Sequence, residues 1–241
     1  MFFMNVAIHQ PECFPWLGFF HKMSLADTFV LLDTVQFEKN NFQNRNKFLI
    51  AGEAQWLSIP VEKHSLNTLV QNIKINWTDE KLTKKHLMSI EQSYKKCEFF
   101  ENVFPFLQEL YHKKHEYLSN FNTEFIVWMA EALGIKTKII KASEMNLSGT
   151  ALGGTDVTLE ICKNLGARCY ISGAGAKVYL DVEKYKQEDI NVYFQEFHHP
   201  VYPQKGSTKF VSHLSSIDLY VNCGEKSFDI IQSGNPCASD I

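Results

Sequence analysis

No pair of the six cysteines (positions 13, 97, 162, 169, 223 and 237) has metal-ligand spacing such as C-x-x-C, so the thiols give no argument for a zinc site. No apolar run is long enough to span a bilayer. Met1 to Ala7 is too short for the apolar part of a secretion signal, lacks a basic start and runs directly into His9-Gln10-Pro11. These absences lead to the expectation of a cytoplasmic protein without membrane insertion, its thiols free in a reducing compartment. The phosphate-loop pattern G-x-x-x-x-G-K-[ST] is missing. So is G-x-G-x-x-G, because Val178 stands where a third glycine would fall after Gly173 and Gly175. No G-x-S-x-G is present, so no nucleophilic triad is readable. The net charge of −3 gives no excess of positive charge for non-specific nucleic-acid binding. No short repeat, heptad, low-complexity segment or linker divides the chain.

What is present is an ordinary globular composition, 241 residues with 45% hydrophobic and 13% aromatic, enough for a large core. The most informative stretch is residues 4–46. Met4 to Ile8 is a short apolar strand, stopped by His9-Gln10-Pro11, where proline offers no N–H and holds Gln10 extended. Trp16, Phe19, Phe20, Met23 and Ala26 fall at helical spacing. Thr28 to Leu32 is a second apolar strand, ended by Asp33. Strand, polar turn, short helix and strand open a parallel α/β sheet, in which ligands bind at the carboxyl ends of strands. His9, Gln10, Asp33 and Gln36 are the polar residues delivered there, with Gln43-Asn44-Arg45-Asn46-Lys47 behind them.

Further along, residues 47–50 and 54–61 read as a hairpin turning at Ala51-Gly52-Glu53. Ile73, Ile75 and Trp77 alternate like a strand. The stretch 79–133 is helical and forms the candidate subdomain within a single α/β domain, 1–241. Pro105 suits the first turn of its second helix, and Asn122-Thr123-Glu124 suit the start of its third, which Gly134 closes. His86, Tyr94, His112 and His115 lie on these helices, where such groups more often sit on a wet face than in a site. Strands are predicted at 4–9, 28–32, 138–141 and 168–171 in one mostly parallel sheet, with a last short strand at 191–194. The Gly-rich segment 147–154 precedes a helix at 155–165, and the polar tail from Gly224 is expected outside the core.

Two later stretches have functional chemistry. Ser172 to Leu180, SGAGAKVYL, follows a strand directly. Gly173 and Gly175 let backbone N–H groups approach an anion, Lys177 adds charge and Tyr179 a hydroxyl; the alternative is a strand-to-helix turn that needs small residues. His198 to Gln204, HHPVYPQ, is held extended by two prolines and offers His199, Tyr202 and Gln204. Neither stretch makes a metal site by spacing, and none is expected. A neutral histidine acting as general base needs only one partner, so His9 or His199 suits that role. Ser172 and Cys13 are the only candidate nucleophiles, and a buried inert thiol is the expectation for Cys13.

Taken together, HQPECFPWLGFFHK, ADTFVLLDTVQF, QNRNK, WLSIPV, GAKVYLD, HPVYPQ and FVSHLSSIDLYVNCG resemble the WbqC-like family from about residue 5 to residue 224. The resemblance implies a place in bacterial O-antigen or other surface-polysaccharide gene clusters. It also implies a role in completing an unusual amino sugar, including amino-acid (glycine) transfer. A second similarity, of architecture, is to pantothenate synthetase and other HUP-type nucleotide-binding folds, which implies a Rossmann/HUP-like sheet. Those proteins set two histidines, H-x-G-H, against ATP phosphates. Here only His9 is so placed, since His21 is too far along.

Three functions follow as expectations. The first is a transferase that acylates or aminoacylates the amine of a nucleotide-linked amino sugar. His9 or His199 would be the base, and backbone N–H groups at 173–176 would receive the oxyanion. Arg45 and Lys22 would meet a diphosphate, and Asp33, Asn44, Asn46 and Gln204 would meet sugar hydroxyls. It needs an acyl or aminoacyl donor, for which tRNA is open. The second is an ATP- and Mg-dependent amide ligase on the same acceptor. The third is a non-catalytic sugar-nucleotide binder or assembly protein. Neither the donor nor the oligomeric state is readable. Asp33, Gln36 and Asn46 are expected to share a pocket with His9, over which the SGAGAK and HPVYPQ loops close.

Overall fold

The computed structural model describes residues 4–147 and 154–234. Five parallel strands form the main sheet: β1 (Asn5–His9), β2 (Thr28–Leu31), β5 (Lys138–Lys141), β6 (Cys169–Gly173) and β7 (Asn191–Gln195). Their spatial order is β5-β2-β1-β6-β7. The four strands expected in one sheet are neighbours there, and β7 extends it at the edge. The register is tight, with Val6 to His9 beside Thr28 to Leu31 and Asn5 to Ala7 beside Cys169 to Ile171.

Apolar runs rather than alternation mark these strands because both sheet faces are covered. Ala7, Phe29, Leu31 and Ile171 enter one core, and Val6, Ile8, Val30 and Tyr170 enter the other. The second core is completed by α5 (Gly154–Asn164) and α6 (Val182–Gln187), which lead into β6 and β7. The first is completed by α1 (Leu17–Ser24), between β1 and β2, and by the helical middle: α2 (Glu80–Tyr94), α3 (Phe100–His112) and α4 (Leu118–Ala132). The strands β3 (Arg45–Ile50) and β4 (Glu53–Ser58) form the expected hairpin, turned by Ala51 and Gly52 at φ 53° and 83°.

Several local expectations are corrected. Pro105 lies inside α3, not in its first turn; buried Phe100, Val103 and Leu107 fix the helix over that span. Asn122, Thr123 and Glu124 do not start α4, which begins at Leu118. Their polar atoms have other uses: Asn122 donates to the carbonyls of Pro11 and Gln43, Thr123 to Ser119, and Glu124 pairs with Lys113 and His115. Ile75 makes only isolated bridge contact with Val61, so no strand forms at 73–77. The tail from Gly224 is not peripheral, because α8 (Ser227–Ser233) follows α7 (Ser216–Cys223) and buries Ile231 in the first core. Positions 148–153 of the Gly-rich segment and 235–241 of the tail lie outside the described residues. Among the described residues no helix is long and apolar enough to cross a membrane.

Candidate functional site

Numbering the main-sheet strands in chain order turns β5-β2-β1-β6-β7 into 3-2-1-4-5. The order reverses between β1 and β6, which makes the gap at their carboxyl ends the switch point where open α/β sheets hold ligands. The His9 turn leaves β1 there, and the Gly173 turn leaves β6 there.

At the end of β1, His9 keeps a side chain 32% open, with its Nε2 3.8 Å from Glu12 Oε1. Its Nδ1 lies 3.0 Å from the Gln10 carbonyl. A carbonyl only accepts, so Nδ1 bears the hydrogen and Nε2 is the free base in the neutral ring. Burial first, and the Lys22 ammonium second, hold the imidazole well below its usual pKa, so His9 is neutral at pH 7. Glu12 is 7% exposed, and its Oε2 has no hydrogen-bond partner. Burial pushes this carboxyl up to about 7, against the pull of Lys22. Lys22 is 3% exposed and donates to the Ile8 carbonyl at 2.9 Å. Burial brings its ammonium down to about 7, against the pull of Glu12. Three titratable groups with displaced pKa values at a switch point are the pattern expected of a functional site.

The turn is braced from outside. Gln10 accepts from Gln43, which is itself buried. Cys13 N–H donates to the Phe42 carbonyl at 2.8 Å, and Asn46 donates to the carbonyls of Cys13 and Phe14. Phe14 sits at φ 48° while fully buried, a conformation costly for a bulky side chain and held by its packing. Cys13 is fully buried and its thiol is pushed far above its usual pKa by burial, so it is an inert packing residue.

At the end of β6, residues Ala174–Val178 form a short 3-10 helix. Gly173 and Gly175 have ordinary backbone angles, and a methyl placed on either would meet nothing within 4 Å. Neither packing nor backbone strain demands glycine, which leaves the open space beside the backbone as the feature glycine preserves. Lys177 is exposed, 3.3 Å from Glu196, and Tyr179 is 66% exposed. Ser172 is buried against the Tyr170 hydroxyl.

Other predicted site residues lie elsewhere or are committed to structure. Asp33 is 1% exposed; its carboxylate accepts from Ser143 N–H at 2.9 Å, Ser143 Oγ at 2.7 Å and Ser119 Oγ at 3.3 Å. Asn46 is fully buried and Asn44 nearly so, the latter donating to the Ile59 carbonyl. The expectation that Asp33 and Asn46 open onto a pocket with His9 therefore fails. Their amides and carboxylate tie loops to strands, and burial closes Asp33 to a sugar. Gln36 is exposed and bridges Leu69. Lys22 cannot clamp a diphosphate in solvent, because its head turns inward to β1. Tyr202 and Gln204 both donate to buried Asp218, at 2.8 and 2.6 Å. His199 gives its Nδ1–H to the Pro200 carbonyl and lies against Trp16 and His213. Among the described residues none of these contacts reaches the His9 turn, so HPVYPQ braces the start of α1 rather than closing over His9. His86 and Tyr94 are core residues bonded to Tyr111 and to Leu49 N–H. Glu12 is the principal residue that sequence reasoning missed. The available signal was its position three residues after His9, inside the same turn.

A doubly wound α/β protein with a buried acid–base group at its switch point is the class these features define. The profile of the WbqC-like protein family matches residues 10–230, and the chain belongs to that family. It is 27% identical over 231 residues to the uncharacterized protein Rv1507c of Mycobacterium tuberculosis (strain ATCC 25618 / H37Rv), covering 95% of this chain and 97% of that one. No solved structure matches it.

Proposed function

We propose that this protein is a cytoplasmic transferase that acylates, or aminoacylates, the amine of a nucleotide-linked amino sugar in bacterial surface-glycan biosynthesis. The observation that supports it most is the partly open His9 at the end of β1, its Nε2 3.8 Å from the Glu12 carboxylate that would offset the charge it takes up. Acyl transfer to an amine needs a base that is uncharged at working pH. Nε2 of His9 takes the proton as the amine nitrogen bonds to the acyl carbon, and the imidazolium so formed gains the Glu12 carboxylate as its partner. The bond from the acyl carbon to the donor's leaving group breaks, and the leaving group departs with a proton. Backbone N–H groups in the open turn after Gly173 suit the transient oxyanion. His9 is preferred to His199 as base because His199 is packed between rings with its Nε2 buried.

A second reading, an ATP- and Mg-dependent amide ligase, draws support from the 3-2-1-4-5 strand order shared with nucleotide-binding halves. Against it, His21 is fully buried and bonded to Gln195, so it does not serve as a second histidine beside the His9 turn. Incubation with a dTDP-linked amino sugar and an aminoacyl or acyl donor tests the first reading, and His9→Ala should lower turnover roughly 10²–10⁴-fold. Pyrophosphate release that requires ATP would select the ligase. Binding without product from any donor, tRNA-borne ones included, would leave a sugar-nucleotide binder.

A further inference from the structure

The β3–β4 hairpin carries a feature that its core does not explain. Arg45 and Lys47 alternate outward from β3, while Asn46 between them points into the core. Trp56 pairs with Lys47 across the hairpin and is 40% exposed. The Arg45 guanidinium lies 4.2 Å from the Trp56 ring centroid and the Lys47 ammonium 5.2 Å. Phe42, 39% exposed, stands against the same indole at 5.7 Å. Among the described residues, neither cationic head makes an ion pair or hydrogen bond with protein. The hairpin's one carboxylate, Glu53, is at its far end opposite Ile50. Two cations without a carboxylate partner and two partly exposed aromatic rings are thus displayed together in a chain whose net charge is −3.

We propose that Phe42, Arg45, Lys47 and Trp56 form the docking platform for a nucleoside diphosphate. An aromatic base stacks on Trp56 or Phe42, and stacking of this kind tolerates any base. Arg45 offers its fork to the phosphates and Lys47 a point charge. The platform adjoins the reacting end: Phe42 bonds through its backbone to Cys13, and Gln43 through its side chain to Gln10, one residue past His9. A ligand held here extends its sugar toward the β1–β6 gap. The inference rests on the acceptor class proposed above and assigns that acceptor's nucleotide end.

Calorimetric titration with dTDP, inorganic pyrophosphate and a single-stranded RNA decamer tests it. Trp56→Ala should weaken dTDP binding by roughly 10- to 100-fold and leave pyrophosphate unchanged, while Trp56→Phe keeps most of the affinity and guards against misfolding. Arg45→Gln should weaken both dTDP and pyrophosphate. Equal dTDP affinity in all three variants would overturn the platform, as would no binding of dTDP, UDP or GDP by the native protein. RNA bound at least about 100-fold tighter than dTDP through the same residues would replace the nucleotide by a nucleic acid and also overturn it. Acyl transfer with unaltered Michaelis constant in these variants refutes the platform alone. Nucleotide binding that depends on them, without acyl transfer, refutes the proposed reaction alone.

Discussion

Replacing Lys22 by methionine should stabilise the protein at neutral pH and remove a rise in stability expected of the native chain between pH 7 and 10.5. The folded ammonium titrates near 7 and the unfolded one at 10.5. Between those values the unfolded chain binds a proton that the folded chain does not, so stability increases with pH. At roughly 1.4 kcal/mol per pH unit, the full rise is about 5 kcal/mol. Below pH 7 the whole cost of burying the charge is present. Methionine fills similar space without charge but gives up the bond to the Ile8 carbonyl, a loss of about 1.5–3 kcal/mol. The variant should then be more stable by about 2–3.5 kcal/mol at pH 6–7, and less stable than native by pH 10. Glu12 contributes with the opposite sign. Its folded pKa is raised from 4.5 to about 7, so its stabilising effect is lost as pH rises through that window. Lys22→Met removes the cation and raises Glu12 further, so comparing Glu12→Gln with Glu12→Gln/Lys22→Met isolates the lysine. Urea denaturation at half-unit steps from pH 6 to 10 reads both curves. Thiols and tyrosines common to both proteins cancel in the difference. Parallel curves, or a variant several kcal/mol weaker at pH 7, would refute a buried, low-pKa Lys22.

Three shorter expectations accompany it. Asp33→Ala breaks three hydrogen bonds to a buried carboxylate and should cost about 3 kcal/mol, read as a lowered denaturant midpoint; a change below about 0.5 kcal/mol would mean the network is not formed. Gly175→Ala adds a methyl that meets nothing within 4 Å, so its melting temperature should match native while acyl transfer falls; a destabilised variant would show that the glycine serves the fold. Phe14→Ala should cost about 3–5 kcal/mol, and Phe14→Gly less than that, because glycine accepts φ 48° without strain; the reverse order in thermal denaturation would argue against the turn geometry.

The sheet was legible because strands buried on both faces are short apolar runs closed by turn residues, as in Val6 to Ile8 and Val30 to Leu32. The His9 and Gly173 turns followed from the rule that parallel strands deliver their carboxyl ends to one edge. Polar residues gave no sign of which way they face. Asp33 and Asn46 look like ligands in the chain, yet both tie loops to strands. Asn122 looks like a helix start but is the bracket between Pro11 and Gln43. Trp56 and Lys47 come together only through hairpin register, and Glu12 gains significance only from burial beside His9 and Lys22. α7 and α8, which pack into the first core, went unread because their apolar residues are spaced by tail-like polar ones.

The central claim places the ligand at the carboxyl ends of β1 and β6. Hydrogen-exchange mass spectrometry with a dTDP-linked amino sugar tests it most directly. Protection is expected in peptides covering 9–16, 42–56 and 172–179, with no change around two cavities elsewhere. One, of about 440 Å³, lies between α2 and α3 near Met88 and Phe104; the other, of about 730 Å³, lies between Phe99, Lys205 and Lys226. Protection confined to either cavity, with the His9 and Gly173 turns exchanging as in the free protein, would contradict it.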